Sequence, residues 1–159
     1  MRRNTFLLLL ILFGLLSLVS SGEGIAGTLQ DVKGRGKLIA GVKTDFPPFG
    51  FLDKKGVIKG FDIDMARALS KELFGNEEAV EFVPVTTGNR IAFLTSKKID
   101  IIVATLTITE ERKKEIDFSI PYFVSGQLIL VRGDSKITKY QDLAGKKVAT
   151  IRGSVGDIA

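Results

Sequence analysis

The chain of 159 residues contains no cysteine and no histidine. Without cysteine there is no disulfide, no thiolate nucleophile and no cysteine-ligated zinc site. Bacterial lipoproteins need a cysteine just after the hydrophobic leader for acylation, so that form of lipid anchoring is excluded too. The lack of histidine removes the commonest general base, every Ser-His or Cys-His nucleophile pair and the usual transition-metal ligand. An enzyme built on carboxylates or lysine stays open, but hydrolase and metalloenzyme readings are poor. Long hydrophobic runs are also scarce. The one that exists, residues 6–19, is interrupted by Gly14 and Ser17 and falls short of the ~20 apolar residues a spanning helix needs. Arg2 and Arg3 precede it, and Ser20, Ser21 and Gly22 follow. That is the pattern of a secretory signal peptide over residues 1–21, and it predicts a periplasmic or secreted protein.

What is present reads as an ordinary globular chain, 45% hydrophobic and 26% charged. An exported protein without disulfides rests on its core alone, which a chain of this size can supply. The net charge is +5, part of which, Arg2 and Arg3, leaves with the signal. The remaining cations are dispersed among acids, with no basic stripe interleaved with aromatics, so no nucleic-acid partner is expected. The bias is modest and favours small anionic ligands.

Residues 22–36 are Gly-rich and polar and read as a mobile leader. KLIAGV (37–42) is a short apolar strand, and Pro47, Pro48 and Gly50 mark the loop after it. Asp53 to Gly60 reads as a polar turn followed by a brief extended piece. Ile63, Ala66, Leu69 and Leu73 recur at helical spacing, and Gly75 and Asn76 stop that helix. A strand over 79–85, a short helix over 89–96 with Ile91, Phe93 and Leu94 inward, and an apolar β-branched strand over 99–104 follow. Strands alternating with helices predict a parallel, doubly wound sheet, whose ligands lie beyond the carboxyl ends of the strands. That rule brings the loops after Val42 and Val103 to one rim. Further on, QLILV (127–131) and KKVATI (146–151) read as strands, with a short capped helix over 138–143 between them.

The most telling stretch is DIIVATLTITEERKKEIDFSIPYF, residues 100–123. A buried strand runs into a Thr-rich turn, and the turn opens a charged helical segment carrying Arg112. Backbone N–H groups, hydroxyls and a guanidinium at one strand end make a small anion site, suited to a carboxylate. Taken singly, each residue has a plainer reading. Arg112 fits a surface arginine paired with Glu111 or Glu115, and Thr105 and Thr107 fit caps for the segment that holds it. Phe46, Phe49 and Phe51 fit loop packing, and Lys43 and Arg90 fit solvated cations.

With GFDIDMARAL (60–69), this stretch resembles the polar-amino-acid family of periplasmic solute-binding proteins, the ligand-capturing subunits of ABC importers. The likeness runs from about Gly36 to the C-terminus. It implies an α/β, two-lobed type II periplasmic binding fold. The first lobe spans 37–123 and lacks its C-terminal return, the crossover is 124–126, and residues 127–159 only begin a second lobe. A half-site open to solvent would hold its ligand weakly. The resemblance further implies that Arg112 holds the ligand's α-carboxylate, with Ala104, Thr105 and Thr107 around its ammonium and carboxylate. Phe46 would wall the ligand's side chain. Ser154 and Val155 would bring backbone N–H groups from the second lobe, while Asp157 reads as a first-turn helix acid. Lys43 stands where glutamine binders carry an acid, and Arg90 where binders of acidic amino acids supply a guanidinium. Aspartate or glutamate is the ligand this implies, with membrane ABC permease subunits as partners, a monomeric complete protein, and neither metal nor cofactor. A periplasmic dehydratase of cyclic carboxylic acids on the same fold, or a receptor's sensing domain, is the alternative.

Overall fold

The computed structural model describes residues 28–158. The expected signal segment, 1–21, and the start of the leader, 22–27, lie outside the described residues. The chain divides into two compact units after Asp31, and the architecture below is that of the second.

The first described element departs from the sequence reading. Residues 28–35, assigned to a mobile leader, form helix α1, Thr28–Arg35. Asp31 lies in its first turn and Lys33 and Arg35 in its last, the polarity that complements the helix dipole. Val32 is buried. A polar composition hid a helix whose charges are ordered along its axis.

Strand β1, Leu38–Val42, is central in a parallel three-stranded sheet. On one side it pairs with β5, Val80–Pro84, and on the other with β6, Ile101–Val103. Between β1 and β5 come a small antiparallel sheet and a helix. The sheet is β2, Asp45–Phe46, β3, Gly50–Leu52, and β4, Ile58–Lys59. The helix is α2, Phe61–Phe74, which ends at Gly75 in the left-handed region. Helix α3, Arg90–Thr95, joins β5 to β6. The expected α/β fold class is therefore present, with α2 and α3 where the apolar spacing put them.

Side chains alternate across the sheet and divide the core in two. Ala40, Val42 and Val103 pack with Ile63 and Ala66 of α2 on one face. Ile39, Val83 and Ile102 meet Val85, Ile99 and Ala104 on the other, with Phe93 and Leu94 of α3. Val42 and Val103 are register partners, so the loops leaving β1 and β6 emerge side by side.

Beyond residue 123 the two expected strands do not form, while the short capped helix expected over 138–143 does. The segments 127–131 and 146–151 form no strand, and Leu128 and Leu130 are almost wholly exposed. A strand exists only as one member of a bonded pair, and neither segment has a partner strand among the described residues. What forms instead is local. Tyr140–Leu143 is a 3-10 turn, tied by the Asp142 carboxylate to the backbone N–H groups of Thr138 and Lys139. Val155–Ile158 is a single helical turn, α5.

Candidate functional site

The site is built where β1 and β6 end. After β6 the chain turns sharply through Ala104, which is fully buried, and Thr105, whose φ is +50°. Left-handed backbone is disfavoured for a β-branched residue and persists only where the surroundings impose it. The turn leads into α4, Glu110–Lys113. Thr109, and neither Thr105 nor Thr107, caps that helix, its hydroxyl accepting from the Arg112 N–H at 3.3 Å. The capping role suggested for the two earlier threonines is thus corrected. Thr105 and Thr107 are left to the turn itself.

Arg112 is buried at 7% exposure and pairs with no carboxylate among the described residues. The surface ion pair with Glu111 or Glu115 does not form. Its Nη1 donates to the Thr107 carbonyl at 2.7 Å and its Nη2 to the Gly153 carbonyl at 2.9 Å. Burial holds its pKa below the usual arginine value. A buried guanidinium with no counter-charge among the described residues is suited to accept an anion.

Lys43 and Arg90 are both buried, so neither is the solvated cation that remained open. Lys43 Nζ lies 3.2 Å from Thr87 Oγ1, 3.3 Å from Asp45 Oδ1 and 5.8 Å from the Phe46 ring centre. Arg90 turns inward, and its Nη1 donates to the Ala104 carbonyl. Burial first, then the charge of Arg112, lowers its pKa to about 10. Phe46 is partly exposed and stacks on Phe49 at 5.9 Å. Phe49 in turn meets Phe123 edge-on at 4.9 Å.

Gly153, at φ +77°, passes so near Gly88 that an added Cβ would stand 3.2 Å from its Cα. Residues 86–88 and 151–153, with Asp157, line a cleft of about 480 Å³. Ser154 and Val155 belong to the same turn without lining the cleft. The Ser154 N–H is already donated to the Ile151 carbonyl, and its hydroxyl contacts that of Thr150 at 3.1 Å. Asp157 accepts from the Gly153 N–H at 2.9 Å.

Sequence reasoning missed Asp62 and Tyr122. Asp62 is fully buried near the start of α2. Its Oδ1 accepts from the Tyr122 hydroxyl at 3.2 Å, and its Oδ2 makes no hydrogen bond. Burial pushes its carboxyl up from 3.8 to about 6, against the lowering influence of Tyr122 and of the nearby Thr105 backbone. Burial, then Asp62, pushes the Tyr122 phenol up. The buried set of α2 is Asp62, Ile63, Ala66 and Ser70. Helical spacing therefore contained the sign, but only for a search that counted polar residues.

A raised carboxyl pKa means that the folded state favours the proton. Asp62 stabilises the fold fully below pH 3.8, and that contribution is lost as pH rises through about 6. The shift corresponds to roughly 3 kcal/mol. Asp62→Asn should therefore be the more stable protein at pH 8, with the difference vanishing near pH 4. Urea midpoints of both proteins at the two pH values check this. A constant gap between them would refute it.

Comparison with known proteins is consistent with this geometry. The sequence model of the bacterial extracellular solute-binding proteins, family 3, matches residues 38–152. The glutamine-binding protein of Geobacillus stearothermophilus is 49% identical over 138 residues, covering 84% of this chain and 53% of that protein. Among solved structures, a mutant of arginine-bound ArgBP from T. maritima superposes with a TM-score of 0.74 at 45% identity, over 82% of this chain and 61% of that one. The ancestral amino acid-binding protein AncCDT-1, a precursor of cyclohexadienyl dehydratase, does so with a TM-score of 0.68 at 48% identity, over 74% and 51%. The chain spans about half the length of the curated relatives it matches.

Proposed function

Because the chain belongs to the bacterial extracellular solute-binding proteins, family 3, we propose that it captures a polar amino acid outside the cytoplasm for delivery to an ABC importer. The observation that carries this is Arg112, a buried guanidinium at the strand ends with no carboxylate partner among the described residues. A ligand's α-carboxylate supplies the missing charge by a bidentate contact. Thr105 and Thr107 sit on the same turn to receive the rest of the ligand's backbone, and Phe46 is its wall.

The side chain we propose is acidic, aspartate or glutamate. Lys43 supports this, since its ammonium is near the exposed ring of Phe46 and bonded to Thr87 of the cleft wall, with the exposed Asp45 as its carboxylate partner. The relatives' names point to other ligands, glutamine and arginine, so selectivity is the feature to measure. Capture without chemistry is the reading that the acids support. Among the acids described near the strand ends, Asp62 is sealed from solvent, Asp157 accepts the Gly153 N–H and Asp45 is paired with Lys43.

Thermal unfolding in the presence of single amino acids tests this. A ligand at 100 times its dissociation constant adds about 2.7 kcal/mol of stability, which is readily seen. Aspartate and glutamate should raise the melting temperature, with glutamine and arginine weaker. Stabilisation by glutamine or arginine alone would overturn the acidic assignment. No response to any amino acid would overturn the capture function.

A further inference from the structure

Arg90 occupies a place that a ligand-reading cation does not need. It is the first residue of α3, and the start of that helix is fixed by a reciprocal pair of contacts. The Thr86 N–H donates to Asn89 Oδ1 at 2.8 Å, and the Asn89 N–H donates to Thr86 Oγ1 at 3.2 Å. From there the guanidinium runs inward at 3% exposure and donates to the Ala104 carbonyl. Ala104 follows Val103, the last residue of β6 paired with β1. Its carbonyl is buried past the end of the ladder, and such a group needs a partner from elsewhere. Arg112 does the corresponding task three residues on, at the Thr107 carbonyl. The turn of residues 104–107, with Thr105 in left-handed backbone, is thus gripped at both ends by guanidinium groups.

We propose that Arg90 is a positioning residue: it imposes the left-handed Thr105 turn that presents the carboxylate site, and it does not read the ligand's side chain. This rests on the amino-acid-binding reading above. The consequence concerns selectivity. A side-chain reader discriminates among ligands, whereas a residue that shapes the shared α-carboxylate site affects every ligand alike. Discrimination between acidic and other amino acids then falls to Lys43.

Arg90→Gln and Arg90→Lys test the proposal in the whole chain. The dissociation constants of aspartate, glutamate, glutamine and arginine are measured for each variant by calorimetry. Amide NMR spectra are recorded without ligand. The expected result is weakening of every amino acid that binds by a similar factor, about 10- to 100-fold, with the order of preference unchanged. The Thr105 and Thr107 amide signals should move in the ligand-free protein, and Arg90→Lys, which keeps one donor, should be milder on both counts. Loss confined to acidic ligands, with unmoved turn amides, would make Arg90 a side-chain reader and overturn the proposal. If the unmodified protein binds no amino acid, the functional reading fails, and the amide signals alone still decide whether Arg90 shapes the turn.

Discussion

Arg112→Ala is expected to lose nearly all amino-acid binding. The guanidinium is buried and uncompensated, and its two arms are held at 2.7 and 2.9 Å by the carbonyls of Thr107 and Gly153. Its position is therefore fixed before any ligand arrives, and little ordering remains to be done on binding. Removing one partner of a hydrogen-bonded charge pair in such a setting costs ~2–5 kcal/mol, a loss of at least about 30-fold in affinity. Arg112→Lys keeps the charge but not the fork, and should fall between the two. Calorimetric titration reads the effect, and circular dichroism confirms that the variant is folded. An unchanged dissociation constant would remove Arg112 from the site.

Gly60→Ala should be strongly destabilising for the addition of a single methyl group. Gly60 has φ +128°. Its new Cβ would press on the Phe49 carbonyl oxygen and stand 2.6 Å from the Pro48 oxygen. These are backbone atoms, which no rotamer change can move. They are also the acceptors that start α2, taking the N–H of Phe61 at 3.0 Å and of Asp62 at 2.8 Å. Relieving the clash means pulling the loop off the helix, so strain and lost bonds add. We expect at least about 4 kcal/mol, a large part of the stability of an ordinary domain. Gly56→Ala is the control. Gly56 also has positive φ, at +77°, but nothing lies within 4 Å of its added Cβ, so only the backbone penalty of about 1 kcal/mol remains. Urea denaturation should separate the two sharply, and equal midpoints would disprove the clash.

The parts of this fold that could be read from sequence are those whose cause is local. The β-branched run of β6 and the apolar spacing of α2 carry their structure in composition. Residues 146–151 have strand composition too, but a strand needs a neighbour, and no single segment encodes one. Helix α1 was missed because its order is electrostatic and its apolar content low. Arg112 shows the limit at the site. In TEER alone it is indistinguishable from a surface arginine, and only its place after the strand and Thr-rich turn, together with the resemblance, singled it out. Asp62 was overlooked for the opposite reason: a search for apolar faces skips a carboxylate even when it lies on one. Lys43 and Arg90 were rightly noticed as cations, yet their burial follows from tertiary packing that spacing alone does not express.

The contact between Asp62 and Tyr122 has an optical consequence. The chain has no tryptophan and two tyrosines, so its intrinsic ultraviolet emission is tyrosine emission. Tyr140 lies largely in solvent at 71% exposure, whereas the Tyr122 hydroxyl sits on the carboxylate that takes up a proton near pH 6. One of only two tyrosines is thereby wired to a carboxyl that burial raises, beside the left-handed turn at Thr105. The molecule carries a built-in spectroscopic gauge of that corner, and Tyr140→Phe would leave it reading a single signal.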